Sequence, residues 1–234
     1  MINIIKSEDR YQADHGWLQT RWHFSFGDYY DPSNVSFGPL RVFNDDVIQP
    51  AKGFDLHPHR DMEIITYVVD GQLEHRDHLG NRGVVHPGEV QVMSAGKGIM
   101  HAEYNHSQEN PVRLMQLWIQ PKTKGGQPHW DQKRFSVDDR KDRWLPVVSG
   151  ADHPSDALTI NQDATIYVSN LTSGHRAVHR TDPHRKVYLF VITGTVTLNN
   201  QELSAGDQAR IEGESQLDAT ATTDAELILL DLPD

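Results

Sequence analysis

Two short pairs of residues carry the chemistry that this sequence could perform. His57-Pro58-His59 sets two imidazoles two residues apart, and His101-Ala102-Glu103 repeats the spacing with an imidazole and a carboxylate. Side chains alternate faces along a strand, so residues two apart point the same way, with Cα atoms about 6–7 Å apart. Facing each other, the two pairs would supply three nitrogens and one oxygen to a single metal ion, with one or two positions left open for chemistry. Gly96 and Gly98 suit a tight turn that brings the second pair in. Glu63 is a rival carboxylate of the same parity, but it lies about 13 Å past His59 along a straight strand. It would ligate only across a sharp bend. Glu103 is therefore the expected carboxylate ligand, and Glu63 a supporting or structural residue.

Composition points the same way. The chain has 14 histidines and no cysteine, so imidazole and carboxylate are its strongest transition-metal ligands. Disulfide scaffolds, thiolate zinc sites, iron–sulfur clusters and thiol catalysis are excluded. Acidic residues outnumber basic ones, 33 to 22, for a formal charge of −11. That balance argues against direct nucleic-acid binding and against an anionic membrane surface, both of which need clustered cations. No apolar run approaches the ~20 residues that span a bilayer. The N-terminus has no secretory apolar core, so a cytoplasmic protein is expected.

The elements that must position these residues are short strands. Trp22–Phe26, Val90–Met93 and Arg113–Ile119 alternate apolar and polar, and Glu63–Val69 is a β-branched run ending at Asp70-Gly71. Recurrent turn signals between such runs predict an all-β sandwich or barrel. Helical periodicity is scarce, and Val137–Arg143 is the best candidate for a short helix or loop. The turn-rich segment PKTKGGQP at 121–128 reads as the end of a first domain. The expected division is 1–133, holding the metal, and 134–234. A weak internal repeat supports it: strand, Gly71, hairpin, Gly88-Glu89 in the first half, and strand, Gly194, hairpin, Gly206-Asp207 in the second. Stepping back from Gly194 by the first-half spacings reaches Arg180, Asp182 and Lys186 in place of His57, His59 and Glu63. The second copy is thus expected to keep the scaffold without the metal.

The motifs resemble those of the cupin superfamily: Gly53, His57-Pro58-His59, Glu63 and Gly71 form the first, and Gly98, His101 and Asn105 the second. The flanks are similar to the pirin family in particular. The similarity rests on His15-Gly16-Trp17-Leu18, Tyr29-Tyr30-Asp31-Pro32, Leu40–Asp46, His57–Glu63 and Met93–Gly98, and runs from about residue 10 to 135. It implies a bicupin of two face-to-face antiparallel β-barrels, with metal only in the N-terminal one. It also implies the ligands His57, His59, His101 and Glu103, in agreement with the parity argument.

The resemblance to bacterial pirins related to quercetinase implies a metal-dependent dioxygenase, cleaving a flavonol such as quercetin with O₂ and releasing carbon monoxide. One divalent transition ion per chain is implied, iron first, with nickel, copper, manganese and zinc also suited to three nitrogens and one oxygen. Glu103, or in second place Glu63, would be the catalytic base that takes the flavonol proton. The other reading is a metal-binding regulatory or interaction protein with incidental activity and an unidentified protein partner. Metal binding is expected to weaken as pH falls through about 6.5, where imidazole protonates. Among the remaining residues, His75 could reach the pocket from the face of Leu73 and Asp77, although a solvated hairpin is the simpler reading. His15 and His23 read as structural, and His129, His153 and His175 as surface. Tyr104, Met115, Leu117 and Trp118 are candidate lining residues, and Gln116 a candidate supporting residue.

Overall fold

The computed structural model describes residues 1–151 and 156–234, so His153 lies outside the described residues. Nearly all regular structure is strand, because short β-branched and aromatic runs alternate with turn residues along most of the chain. The charged Val137–Arg143 stretch forms only a 3₁₀ turn at Asp138–Arg140. The alternating segment Trp22–Phe26 is a strand only in part: Leu18–Trp22 pairs with Leu40–Ile48, and the chain then turns through a bridge between Phe26 and Tyr29. No helix among the described residues is long and apolar enough to cross a membrane.

The chain divides into two compact units, and the fold is a bicupin. The first unit is Tyr11–Arg134 with Leu158–Gln162, and the second is Met1–Arg10, Phe135–Ala157 and Asp163–Asp234. Met1–Arg10 thus lies outside the domain in which the sequence places it, because Ile2–Ile5 pairs with Gln208–Glu212 at a sheet edge. The larger sheet of the first unit runs His129–Arg134, Glu89–Ser94, Glu63–Asp70, Val112–Ile119, Leu40–Ile48, Leu18–Trp22 and Tyr11–Asp14. Its smaller sheet runs Gly53–His59, Ile99–Asn105, Leu73–Asp77 and Arg82–Val85. In the second unit the larger sheet contains Ile2–Ile5, Gln208–Glu212, Lys186–Thr193, Ala225–Leu232, Thr165–Leu171 and Leu145–Gly150 in that order. The smaller contains Arg176–Arg180, Gln216–Ala221, Thr195–Leu198 and Gln201–Ser204. Each unit is a pair of open sheets, whereas closed barrels are expected from the sequence; among the described residues no ladder joins its two sheets.

The strand registers reveal how the two copies differ. In the first unit His101 lies opposite His57, and Ile99 opposite His59. In the second, Ala219 lies opposite Ala177 and Leu217 opposite His179. Matching inward faces, Ala177 and His179 stand where His57 and His59 stand, and Ala219 and Ala221 where His101 and Glu103 stand. Val196 and Leu198 replace His75 and Asp77. Leu189, Ala209 and Leu229 replace Thr66, Gln91 and Gln116. The expected equivalents Arg180 and Asp182 are therefore displaced, because the link from His179 to Lys186 is longer than the link from His59 to Glu63. Lys186 does hold the Glu63 position, since each begins the strand that ends before the repeat glycine.

The interiors follow from those side chains. In the second unit a continuous apolar cluster includes Leu189, Val196, Leu198, Ala209, Ala219 and Leu229. The first has two. Leu18, Val68, Leu73 and Leu114 pack at one end, and Ile64, Met93, Ala95 and Ile99 at the other. Between them lies a layer of buried polar side chains from Thr66, His75, Gln91, His101 and Glu103. Gly71 and Gly194 share φ +81°, and a Cβ at either would strike the backbone of Pro111 or Asp224 respectively. Gly194→Ala should therefore lower stability by about 2 kcal/mol or more, read as a lower urea midpoint, since a left-handed conformation alone costs a non-glycine residue about 1–3 kcal/mol.

Candidate metal centre

Gly53–His59 and Ile99–Asn105 pair antiparallel, which sets His57 and His59 against His101. The chain reaches this register through Gly96, whose φ is +47° and whose missing Cβ leaves room for the Gly126 carbonyl. One ring nitrogen from each of His57, His59 and His101 lies within 4.8 Å of the other two. Donors about 2.1 Å from a common ion lie at most about 4.2 Å apart, so a small side-chain adjustment closes the trio on a metal.

The ring nitrogens are already assigned by their neighbours. His57 Nδ1–H donates to the Asp55 carbonyl at 2.7 Å, which leaves Nε2 with its lone pair. His101 Nε2 is buried and has no hydrogen-bond partner. A buried, unpaired acceptor is costly unless something occupies it, and a metal ion held by the trio would fill that place. The donor set thus fits a divalent transition ion.

Glu103 is 2% exposed. Burying a carboxylate is expensive unless its oxygens are hydrogen-bonded. Gln91 Nε2 donates to Oε1 at 3.1 Å and Gln116 Nε2 to Oε2 at 2.9 Å. The orientation of both amides is fixed, because an indole N–H only donates. Trp130 Nε1 donates to Gln91 Oε1 at 3.0 Å, and Trp118 Nε1 to Gln116 Oε1 at 3.4 Å. Each glutamine must therefore turn its NH₂ toward Glu103. Burial alone would raise the Glu103 carboxyl, but the charges of His101, His75 and His57 and the Gln116 amide outweigh it, and the group lies below its ordinary value. Glu103 sits with His101 and His75 in a second group of donor atoms mutually within 4.8 Å, and it meets the first trio through His101.

His75 is the residue that sequence reasoning undervalued. It is fully buried and not on a solvated hairpin. Its Nδ1 lies 3.4 Å from His101 Nδ1, and its Nε2 lies 3.3 Å from Asp77 Oδ2. Asp77 accepts from His75 Nε2–H, so His75 Nδ1 can accept from His101 Nδ1–H. That tautomer leaves His101 Nε2 as the lone-pair atom facing the trio. Trp130 stacks on His75 at 5.3 Å, and Trp118 meets His59 edge-on at 4.8 Å. The parity of His75, Glu103 and Gln91 was readable from strand alternation. Their burial was not, because it depends on which strands pair across the unit.

Other candidates separate cleanly. The chain bends after His59, and Glu63 starts a strand in the other sheet, where Ser94 Oγ donates to it. Burial raises its carboxyl, and it joins neither donor group among the described residues. Gln116 supports Glu103, as its polarity suggests. Trp118 reaches the site, whereas Tyr104 turns outward to Asp55. Burial, together with the charges of His101 and His57, pushes His59 down to about 4. Burial likewise pushes His101 to about 4, despite the opposing pull of Glu103. Proton competition at these two rings thus moves well below the 6.5 expected from sequence.

Comparison with known proteins places the chain in a family. The family model described as Pirin matches residues 5–119, and the quercetinase C-terminal cupin domain matches 146–232. A pirin-like protein of Caulobacter vibrioides is 48% identical over 219 residues, 94% of each chain. The chain belongs to the pirin family. An Escherichia coli protein named quercetin 2,3-dioxygenase is 42% identical over 234 residues, covering 100% of this chain and 99% of that one. The crystal structure of a bacterial pirin from Escherichia coli in complex with nickel(II) superposes with a TM-score of 0.94, at 42% identity over 100% of this chain and 99% of that one.

Two outcomes follow for this pirin. His75→Phe should keep the fold by circular dichroism and weaken nickel(II) binding about 10- to 100-fold in a chelator competition, the usual cost of losing an orienting partner. The metal-free protein should also lose stability as pH falls from about 6.5 to about 4, because the unfolded chain protonates His59 and His101 before the folded one does. Asp46, which burial pushes up to about 7, acts in the opposite sense. The quantity to follow by urea titration is therefore wild type minus His101→Gln, which should decline across that window.

Proposed function

We propose that this pirin is a metal-dependent dioxygenase of the quercetin 2,3-dioxygenase type, and that His57, His59, His101 and Glu103 hold its metal. The observation that carries the reading is the convergence of three imidazoles on a buried, unpaired His101 Nε2. The names of the Escherichia coli relatives support the substrate class, a flavonol with O₂ as co-substrate. The cofactor is one divalent transition ion. Nickel(II) is the first to test, because it occupies a close relative, and iron, copper, manganese and zinc suit the same donors.

When bound, the metal supplies Lewis acidity to the flavonol 3-hydroxyl and a place for O₂ to meet the electron-rich ring. The protein supplies the rest. His57 and His59 hold their side of the site from one strand, while His75 and Asp77 fix the tautomer of His101. The apolar cluster of Ile64, Met93, Ala95 and Ile99 packs against the polar layer on the side of His59. A carboxylate oxygen of Glu103 takes the 3-hydroxyl proton, with Gln91 and Gln116 keeping the group in place.

One observation favours a second reading, a metal-binding regulatory protein with slow incidental turnover. Both Glu103 oxygens already accept amide hydrogens, and the carboxyl lies below its ordinary value, so it is a weak base. The two readings separate in one experiment. Metal-loaded wild type should consume O₂ with quercetin at a steady rate over many turnovers, and His101→Ala should lose both bound metal and uptake. Uptake unchanged in His101→Ala would overturn the enzymatic reading. Turnover of less than one per minute by fully metallated protein would favour the regulatory one.

A further inference from the structure

A pocket of about 450 Å³ opens beside the candidate metal centre, and His59 belongs to both. Its wall is apolar, formed by Pro58, Ile99 and Met100, and Met100 is 39% exposed. Its rim is cationic. Arg60 follows His59 directly, and Lys97 stands two residues before Ile99, the residue opposite His59 in the ladder. The two cations therefore flank the same end of one strand pair, just outside the histidine trio.

Neither cation is neutralised. Among the described residues no carboxylate lies within 4.0 Å of Arg60 or Lys97, although the chain carries 33 acidic residues and a charge of −11. The adjacent carboxylate, Asp61, accepts from the backbone N–H of Gly125 at 2.7 Å. The remaining titratable side chain of the pocket, His78, accepts the backbone N–H of Met100 on its Nδ1 at 3.1 Å. Two free cations above an apolar wall in a strongly acidic protein form a local positive potential, which attracts and orients an anion.

We infer that this pocket receives the outer end of the substrate and that this end is an aryl group bearing an anionic substituent, such as a sulfonate, sulfate or carboxylate. The ring lies on Pro58, Ile99 and Met100, and the anion meets Arg60 and Lys97. Arg60 and Lys97 are then specificity residues, separate from the groups that hold the metal. The inference rests on the proposed function for its choice of a flavonol core, but its measurement is equilibrium binding and does not require turnover.

The test uses nickel(II)-loaded full-length protein titrated with 3-hydroxyflavone and with a 3-hydroxyflavone sulfonated on its outer ring, followed by flavonol absorbance. The sulfonated probe should bind wild type about tenfold more tightly at low salt, as two partly screened ion contacts would give. Raising salt to 0.5 M should shrink the preference. The Arg60→Ala/Lys97→Ala double variant should abolish it, while its affinity for the unsulfonated probe stays within about twofold of wild type. Lys97→Arg alone should retain it. Equal affinities in wild type, a preference that survives the double variant, or no binding of either probe would overturn the inference. Oxygen uptake measured in parallel reports on the proposed function separately. Charge-selective binding without uptake would defeat the dioxygenase reading and still support the anion-selective pocket.

Discussion

The buried carboxylate of Glu103 is the constraint around which the first unit is built. An ionised group at that depth is tolerated only when donors meet both of its oxygens. Gln91 and Gln116 meet them, and each glutamine is oriented in turn by an indole. The same two indoles pack against His75 and His59. Carboxylate, amides, indoles and imidazoles thus form one connected layer between two apolar clusters. Replacing a single glutamine would leave one carboxylate oxygen and one indole N–H without partners in a low-dielectric interior, where an unmade hydrogen bond costs more than a made one contributes.

The second unit shows what the scaffold needs when that layer is absent. At matched registers, most of the histidines, the glutamate, glutamines and threonine give way to alanine, valine and leucine, which join a continuous apolar cluster. His179 alone retains an imidazole at a ligand position, and it is bonded to Asp231 at 2.7 Å. The sheet pair therefore folds around either interior. Its stability comes from ladders, apolar packing and the glycines that begin each hairpin, and the polar layer of the first unit is an addition to that frame. This explains why ligand substitutions in the first unit are expected to remove metal before they remove the fold.

Much of this was legible in the sequence because strand parity is a local property. Residues two apart share a face whatever the sheet order, so His57 with His59, and His101 with Glu103, could be paired before any strand partner was known. What could not be read depended on non-local pairing. His75 looked like a hairpin residue until its strand was found against Ile99–Asn105, in the interior and opposite Glu103. The equivalents of the histidines in the second copy were misplaced because step counting assumes equal links, and the links differ in length. The placement of Met1–Arg10 depends on an edge pairing with residues about two hundred positions away, which no local pattern encodes. The expected titration near 6.5 came from free imidazole, whereas the burial that moves His59 and His101 to about 4 exists only in the folded chain.

The environment of Glu103 also limits how the site can divide its labour. Two amide donors and three neighbouring imidazoles make the carboxylate comfortable in its ionised form, which suits a ligand and weakens a base. A substrate hydroxyl must therefore arrive already acidified if Glu103 is to take its proton, and the protein can assist by holding the resulting anion in place. On the inference drawn above, Arg60 and Lys97 at the rim would meet the far end of the same molecule and need not share in that step. On the proposed reading, acidification would fall to a metal held by the imidazole trio, proton acceptance to the amide-held carboxylate and charge recognition to the cationic rim. Such a division lets the rim change with the substrate while the polar layer, whose members are mutually dependent, stays as it is.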